Sequence, residues 1–161
     1  MKSALIGAGY WGANLARNLA ANERATFGAI VDCDIEAAER LAARFGVRSY
    51  NRVEDVLEDS DIGAIVLATP AATHGTLGLQ IVEAGRNVLI EKPFATNLSD
   101  AQAIIAAAET NGVVAMPGHT FLYSEPVRFI GELVKGGELG RPLYAYSQRL
   151  NLGRIRSDCD A

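Results

Sequence analysis

The stretch Ser3-Ala4-Leu5-Ile6-Gly7-Ala8-Gly9-Tyr10-Trp11-Gly12 decides the fold of this chain. Ser3 to Ile6 is a short run, mostly apolar, that stops at Gly7, the pattern of a strand buried on both faces. Trp11 to Ala21 follows with Leu15 and Leu19 four apart, a helical spacing. Between the two lies a GxGxxG, Gly7-Ala8-Gly9-Tyr10-Trp11-Gly12. A glycine motif alone is weak evidence, but one that closes a strand and opens a helix has specific physics. Gly7 permits a tight turn, Gly9 has no Cβ to keep a pyrophosphate from the backbone, and Gly12 lets the helix pack close to the strand. N–H groups around Tyr10 and Trp11 then point at the anion, aided by the helix dipole. Asp32 closes the next apolar run, Phe27 to Val31, and lies 20 positions after Gly12. A carboxylate there can accept both ribose hydroxyls of an adenosine and repels a 2′-phosphate. Cys33 and Asp34 follow it, with no Arg, so NAD is expected rather than NADP. A glycine turn serving another nucleotide, or none, is the other reading. Trp11 either flanks a cofactor or packs at the helix start, and Asn14 and Arg17 suit surface or capping roles.

The same alternation continues outward. Helical segments are expected at Ile35–Phe45 with Gly46 past its end, at Asn51–Leu57 with Asn51 as cap, at Thr73–Ala84 closed by Gly85, and at Ser99–Thr110 closed by Asn111-Gly112. Strands are expected at Val47–Tyr50, Ile62–Ala68, Asn87–Ile90 and Val113–Met116. Strands alternating with helices imply right-handed βαβ crossovers and a parallel sheet covered on both faces. The fold class is therefore α/β, a Rossmann doubly wound sheet over residues 1–120. After Gly118 the rhythm changes. Glu125 to Lys135 reads as a helix with Pro126 in its first turn. Pro142 to Leu150 partly alternates and reads as a strand of a different sheet. One strand cannot bury its own face, so either a partner molecule covers it or the chain is a fragment of something longer; the second is favoured, with residues 121–161 expected to begin a C-terminal α+β substrate and dimerisation domain. An unpaired edge at Pro142–Leu150 would favour a homo-oligomer.

Composition narrows the class. Of 161 residues 49% are hydrophobic and 21% charged, which suits one globular domain with the start of a second. A chain of this length buries roughly two thirds of its unfolded surface and needs no staple. The net charge of −4 argues against non-specific nucleic-acid binding. Cys33 and Cys159 form no CxxC, and two histidines supply no zinc constellation, so no metal is expected. Met1 leads into the first apolar run without a basic flank, and no apolar stretch reaches membrane-spanning length, so a cytoplasmic protein is expected.

Two further motifs end the fourth and fifth strands: Thr69-Pro70, within Ala68-Thr69-Pro70-Ala71-Ala72-Thr73-His74, and Glu91-Lys92-Pro93. In an open parallel sheet ligands bind outside the carboxyl ends of the strands. With GAGYWG, VDCD, ATPAATH and EKP in this order and spacing, the chain resembles the Gfo/Idh/MocA oxidoreductases over essentially all of residues 1–161. GHTFLYSEPVRF and RLNLGRIRSD more narrowly resemble members that oxidise nucleotide-linked sugars at C3.

The resemblance implies a role for each motif. Lys92 matches the family lysine that reaches the nicotinamide ribose and the substrate hydroxyl, and Lys92-Pro93 matches a bond that is often cis. Thr69 and Pro70 match the loop beside the nicotinamide half, where Ala71 departs from a frequent asparagine. His74 matches a histidine of that loop and is either a ligand contact or a helix-start residue satisfied by backbone. Glu91 matches a cofactor-side acid. His119 is a substrate neighbour or a satisfied loop histidine, and Arg149, Arg154 and Arg156 either grip substrate phosphates or form a solvated tail.

Alcohol oxidation by NAD needs a group for the hydroxyl proton and stabilisation of the developing alkoxide. Lys92 suits either role. The family's D-x-x-x-H segment is missing from this sequence, and Asp158 and Asp160 do not match it. The expected function is thus the cofactor-binding portion of an NAD-dependent dehydrogenase of a sugar or nucleotide-sugar, inactive by itself. A non-catalytic NAD-binding module is the alternative. An S-adenosylmethionine enzyme would not need Lys92 at that corner.

Overall fold

The computed structural model describes residues 1–148 and Leu150. Six strands, β1 (Lys2–Ile6), β2 (Thr26–Val31), β3 (Arg48–Tyr50), β4 (Ile62–Leu67), β5 (Asn87–Ile90) and β6 (Ala115–Pro117), form one sheet in the order β3-β2-β1-β4-β5-β6. Every adjacent pair is parallel. The chain winds outward from β1 through β2 to β3, then returns to the other side of β1 for β4. The order therefore reverses between β1 and β4, where an open α/β sheet forms its ligand crevice.

Five helices cover this sheet: α1 (Tyr10–Ala20), α2 (Ile35–Ala43), α3 (Val53–Glu58), α4 (His74–Glu83) and α5 (Leu98–Asn111). Alternation along each strand sorts side chains between two layers. Ala4, Ile6, Ala29 and Val31 join one core cluster with Val56, Ile81, Val82, Ile104 and Ala108, residues of α3, α4 and α5. Leu5 and Ile30 point the other way, into a cluster with Ala16, Ala38, Leu41 and Ala42 of α1 and α2. Full burial of a side chain such as Leu5 or Ile30 contributes about 1.5–3 kcal/mol. Continuous apolar runs, rather than alternating ones, are what a sheet covered on both faces requires.

Local chemistry sets the helix ends. Asp34 caps α2 by accepting the Ala37 N–H (3.2 Å), and Asn97 caps α5 by accepting the Asp100 N–H (2.9 Å). α2, α4 and α5 stop ahead of glycines at positive φ, and the next N–H closes back in each case: Val47 to Ala42, Arg86 to Ile81 and Val113 to Ala108. Gln80 Nε2 donates to Glu54 Oε1 (3.1 Å), tying α4 to α3. A backbone hydrogen bond, then this amide, hold the Glu54 carboxyl below its ordinary range. α3 begins after Arg52, not at Asn51, and no side chain caps it. No helix among the described residues is long and apolar enough to cross a membrane.

Cα packing separates two units, Met1–Gly118 and His119–Ala161. The second contains a 3-10 turn, Thr120–Tyr123, and α6 (Glu125–Lys135) with Pro126 in its first turn. The expected strand at Pro142–Leu150 does not form: residues 142–148 and Leu150 have no regular structure. A strand needs a neighbour to take its hydrogen bonds, and no described residue of this unit supplies one. Arg149, Arg154, Arg156, Asp158, Cys159 and Asp160 lie outside the described residues.

Candidate functional site

The carboxyl edge of the sheet brings together the loops expected to bind ligand. One hydrogen bond beyond each strand end fastens them to their neighbours. Gly7 N donates to Val31 O (2.8 Å), Ala68 N to Ile6 O (2.8 Å), Asp32 N to Tyr50 O (3.2 Å), and Glu91 N to Leu67 O (2.9 Å). Gly7, Asp32, Thr69 and Glu91 therefore all leave the sheet at one edge.

The three motif glycines meet different surroundings. Gly7 has φ +106°, and a Cβ there would lie 2.6 Å from Ala68 O. A Cβ on Gly12 would lie 1.9 Å from Gly7 O, so the helix packs directly on the turn. A Cβ on Gly9 would meet nothing within 4 Å. Gly9 is thus not needed by the protein's own packing, and the space beside its backbone is open. Gly9 is also the N-cap of α1, without a side-chain cap bond, and the first intrahelical bond runs from Ala13 N–H to Gly9 O (3.1 Å). N–H groups ahead of that bond face out of the helix end, toward where a diphosphate would sit.

Asp32 is half-buried and more engaged than its spacing suggests. Oδ2 accepts the Ala8 N–H (2.7 Å), while Oδ1 accepts the Asp34 N–H (3.0 Å) and the Cys33 thiol (3.6 Å). A carboxylate offers about four acceptor sites, so capacity for a ribose hydroxyl persists. The carboxylate thus also fastens the glycine turn. Ala8 takes part through its backbone, which no residue type announces. Tyr10 and Trp11 are 76% and 48% exposed with ring centroids 6.5 Å apart, and Trp11 does not join the core. Asn14 Nδ2 reaches the Tyr10 carbonyl (3.4 Å), a local helix contact.

The Thr69-Pro70 loop leads through a 3-10 turn, Ala71–Thr73, into α4. Thr73 Oγ1 donates to Pro70 O (2.8 Å), so the 2.7 Å contact between the two hydroxyls is Thr69 donating to Thr73. Two threonines four apart at a helix start are the signal that would have found Thr73. His74 is 1% exposed. Its Nδ1 lies 2.7 Å from Pro93 O and its Nε2 2.9 Å from Thr69 O. Of its two expected roles the structure has the backbone-facing one, because a ring 1% exposed with both nitrogens against backbone carbonyls is turned into the protein. Both partners only accept, so a neutral ring makes one of these bonds and an imidazolium makes both.

At the end of β5, Glu91 is 7% exposed and its Oε2 accepts the Lys92 N–H (3.2 Å). Gly118 packs on it; a Cβ there would lie 3.3 Å from Glu91 Cα. Lys92 is exposed, and its ammonium makes no ion pair or hydrogen bond among the described residues. Lys92-Pro93 is a cis bond, as the resemblance implies. His119 belongs to the second unit, just before its 3-10 turn. No group of three or more metal-ligating side chains exists among the described residues.

A family model described as an oxidoreductase family with an NAD-binding Rossmann fold matches residues 1–119. The chain belongs to this family, Gfo/Idh/MocA. An inositol 2-dehydrogenase of Mycolicibacterium vanbaalenii is 32% identical over 151 residues, 92% of this chain and 44% of that protein. The crystal structure of GenD2 from gentamicin A biosynthesis, in complex with NAD, is similar with a TM-score of 0.76 and 36% identity, over 86% of this chain and 38% of that one. WlbA dehydrogenase from Bordetella pertussis, in complex with NADH and UDP-GlcNAcA, gives a TM-score of 0.83 and 27% identity, over 88% of this chain and 41% of that one. Other similar structures hold NADP. This Gfo/Idh/MocA chain spans about two fifths of the length of the curated relatives it matches. The dinucleotide that the family implies fits the residues present. Gly9 leaves open space against its backbone, the helix end supplies donors, and Asp32 supplies an acceptor at the neighbouring strand.

Proposed function

We propose that this chain binds NAD across the β1–β4 crevice and is the cofactor portion of a dehydrogenase acting on a secondary alcohol of a sugar or nucleotide-sugar. The observation that carries the reading is the contrast at the glycine turn: Gly7 and Gly12 are required by packing, and Gly9 is not. A glycine that no packing requires, at the N-cap of a helix and beside Asp32, is explained by a ligand that comes against the backbone. In this reading Gly7, Gly9 and Gly12 shape the diphosphate cradle, with Tyr10 and Trp11 exposed at its mouth. Asp32 takes the adenosine ribose and, being negative, disfavours the 2′-phosphate of NADP. Thr69, Pro70 and Glu91 form the nicotinamide side. NAD when bound accepts the hydride.

Lys92 is the group we assign to the substrate hydroxyl. It is charged, exposed at the strand end and committed to no other partner among the described residues. As a point charge it stabilises a developing alkoxide. His119 and Arg149 belong to the substrate side in this proposal. Residues 1–120 are the dinucleotide domain and 121–161 the beginning of a substrate domain. Alone, the chain binds cofactor without turnover. Assembly into a homo-oligomer is part of the proposal and rests on α6, where Val127, Ile130 and Val134 recur at i, i+3 and i+7 and stay exposed. Light scattering that finds only monomer refutes that part. The exposed thiol of Cys33 suits a reducing compartment, on which ground we place the protein in the cytoplasm.

Thermal unfolding with and without NAD tests the central claim. At a concentration 100 times Kd, a ligand specific for the folded state adds about 2.7 kcal/mol. An unchanged melting temperature at millimolar NAD overturns it.

A further inference from the structure

His74 is the one histidine of the first unit and is almost fully buried at the start of α4, the helix whose Ile81 and Val82 join the core. Burying an imidazole costs free energy unless its nitrogens are hydrogen-bonded. A leucine would fill a comparable volume without that cost, so packing alone does not explain the residue. Its two partners do. Thr69 O belongs to the loop after β4, and Pro93 O to the turn after β5. Among the described residues, no other hydrogen bond joins segment 68–73 to segment 92–97. The two loops on the nicotinamide side of the crevice are thus joined through one ring.

We infer that His74 is a positioning residue: it clamps the Thr69-Pro70 loop to the Lys92-Pro93 turn and so sets the wall that receives the nicotinamide half of the dinucleotide, without touching the ligand. The inference rests on the dinucleotide reading above. A neutral ring that donates from Nδ1 to Pro93 O, the shorter contact at 2.7 Å, ties the first residue of α4, and with it the loop that leads into α4, to the turn after β5. Lys92 lies between Glu91, whose N–H is tied to Leu67 O at the end of β4, and Pro93, which meets the ring, so the ring fixes the far side of Lys92 relative to the Thr69 loop. The adenosine half lies elsewhere, on the glycine turn and Asp32, which His74 does not contact.

The test compares two ligands by isothermal titration. ADP uses only the adenosine and diphosphate part of the site, whereas NAD also needs the nicotinamide wall. His74→Leu keeps roughly the volume and removes the ring's hydrogen bonding. His74→Asn returns an amide donor near the position of Nδ1, and serves in place of the leucine variant if that one does not fold. We expect the leucine variant to bind NAD about tenfold more weakly, the effect of losing one hydrogen bond, with ADP affinity within about twofold of wild type. The asparagine variant should recover part of the NAD loss. NAD and ADP affinities that fall together overturn the inference, since a purely structural histidine would weaken both. Unchanged NAD affinity in both variants overturns it too. Wild-type protein that binds neither ligand refutes the dinucleotide reading itself and the inference with it. Wild type that binds both, with variants that do not separate them, refutes the clamp alone.

Discussion

Asp32 holds the glycine turn by its backbone: Oδ2 accepts the Ala8 N–H at 2.7 Å, across 24 residues of sequence. We propose the same carboxylate as the acceptor for the adenosine ribose, a reading in which one side chain both shapes the cradle and reads the sugar. Asp32→Ala removes both functions. Asp32→Asn keeps an oxygen for Ala8 but loses the charge. We expect the alanine variant to bind NAD roughly 10- to 100-fold more weakly, since a hydrogen bond to a charged group is worth ~1.5–3 kcal/mol, and the asparagine variant to lose less. Both should narrow the preference for NAD over NADP. Titration with each dinucleotide reads this. Equal wild-type affinity for the two removes the ribose role, and an alanine variant with an unchanged melting temperature removes the loop role.

Gly9 and Gly12 should respond oppositely to the same methyl group. In Gly12→Ala the Cβ would lie 1.9 Å from Gly7 O, a clash with backbone that no rotamer relieves. That variant should be severely destabilised, with a loss of several kcal/mol of the kind overpacking and backbone strain produce, or fail to fold. In Gly9→Ala the Cβ enters open space at an extended backbone (φ −70°, ψ −168°) that alanine adopts. Its stability should change by no more than about 1 kcal/mol, the range of N-cap substitutions. Its NAD affinity should nonetheless fall at least tenfold. Circular dichroism melts with titration of the folded variant separate the cases. A Gly9→Ala protein that binds NAD normally would contradict the cradle.

How much of this was written in the residues differs by scale. The sheet was legible because a parallel strand buried on both faces must be continuously apolar, and Ser3–Ile6, Ile62–Leu67 and Asn87–Ile90 largely are. The glycine turn was legible because its constraints are local. Three features were not. Asn51 is a good cap by type, yet α3 starts one residue later because the backbone, not propensity, sets where the first turn closes. Pro142–Leu150 has a strand-like pattern, but pairing depends on a neighbour that the pattern cannot report. His74 carried two open roles, and its burial depends on where β5 and Pro93 fall in space, 19 residues further on. Local geometry reads from sequence, while contacts between loops of different strands do not.

Asn97 offers a stability test outside the crevice. Its Oδ1 accepts the Asp100 N–H (2.9 Å) and the Ser99 hydroxyl (2.6 Å), and its Nδ2 donates to Asp100 Oδ2 (2.7 Å). Asp100 in turn packs on α4 so closely that a Cβ at Gly75 would lie 2.3 Å from its Oδ2. Asn97→Ala removes the cap and the support for Asp100. The loss should be about 1 kcal/mol, within the 0.5–2 kcal/mol range of cap deletions, and lower the melting temperature by a few degrees. Urea denaturation should move the midpoint and leave the slope unchanged. A shift below the error of the melt would mean that the helix end is held by packing alone.

Lys92 decides whether the crevice belongs to an enzyme. Its backbone N–H is tied to Glu91, which fixes the main chain, while the ammonium stays free of partners among the described residues. A lysine that stabilised only the fold would be paired or packed; this one is available to a substrate oxygen. Joined to a substrate domain of the length its relatives have, wild-type protein should reduce NAD with a sugar or nucleotide-sugar. Lys92→Ala should lower kcat about 10²- to 10⁴-fold, the usual contribution of a positioned acid–base or charge-stabilising group. NAD affinity should change less than tenfold, because the diphosphate and adenosine contacts are elsewhere. Lys92→Arg keeps the charge but spreads it over a planar fork, so its rate should stay closer to alanine than to wild type. A rate unaffected by Lys92→Ala in protein that still holds NAD would assign the proton and the alkoxide to another group.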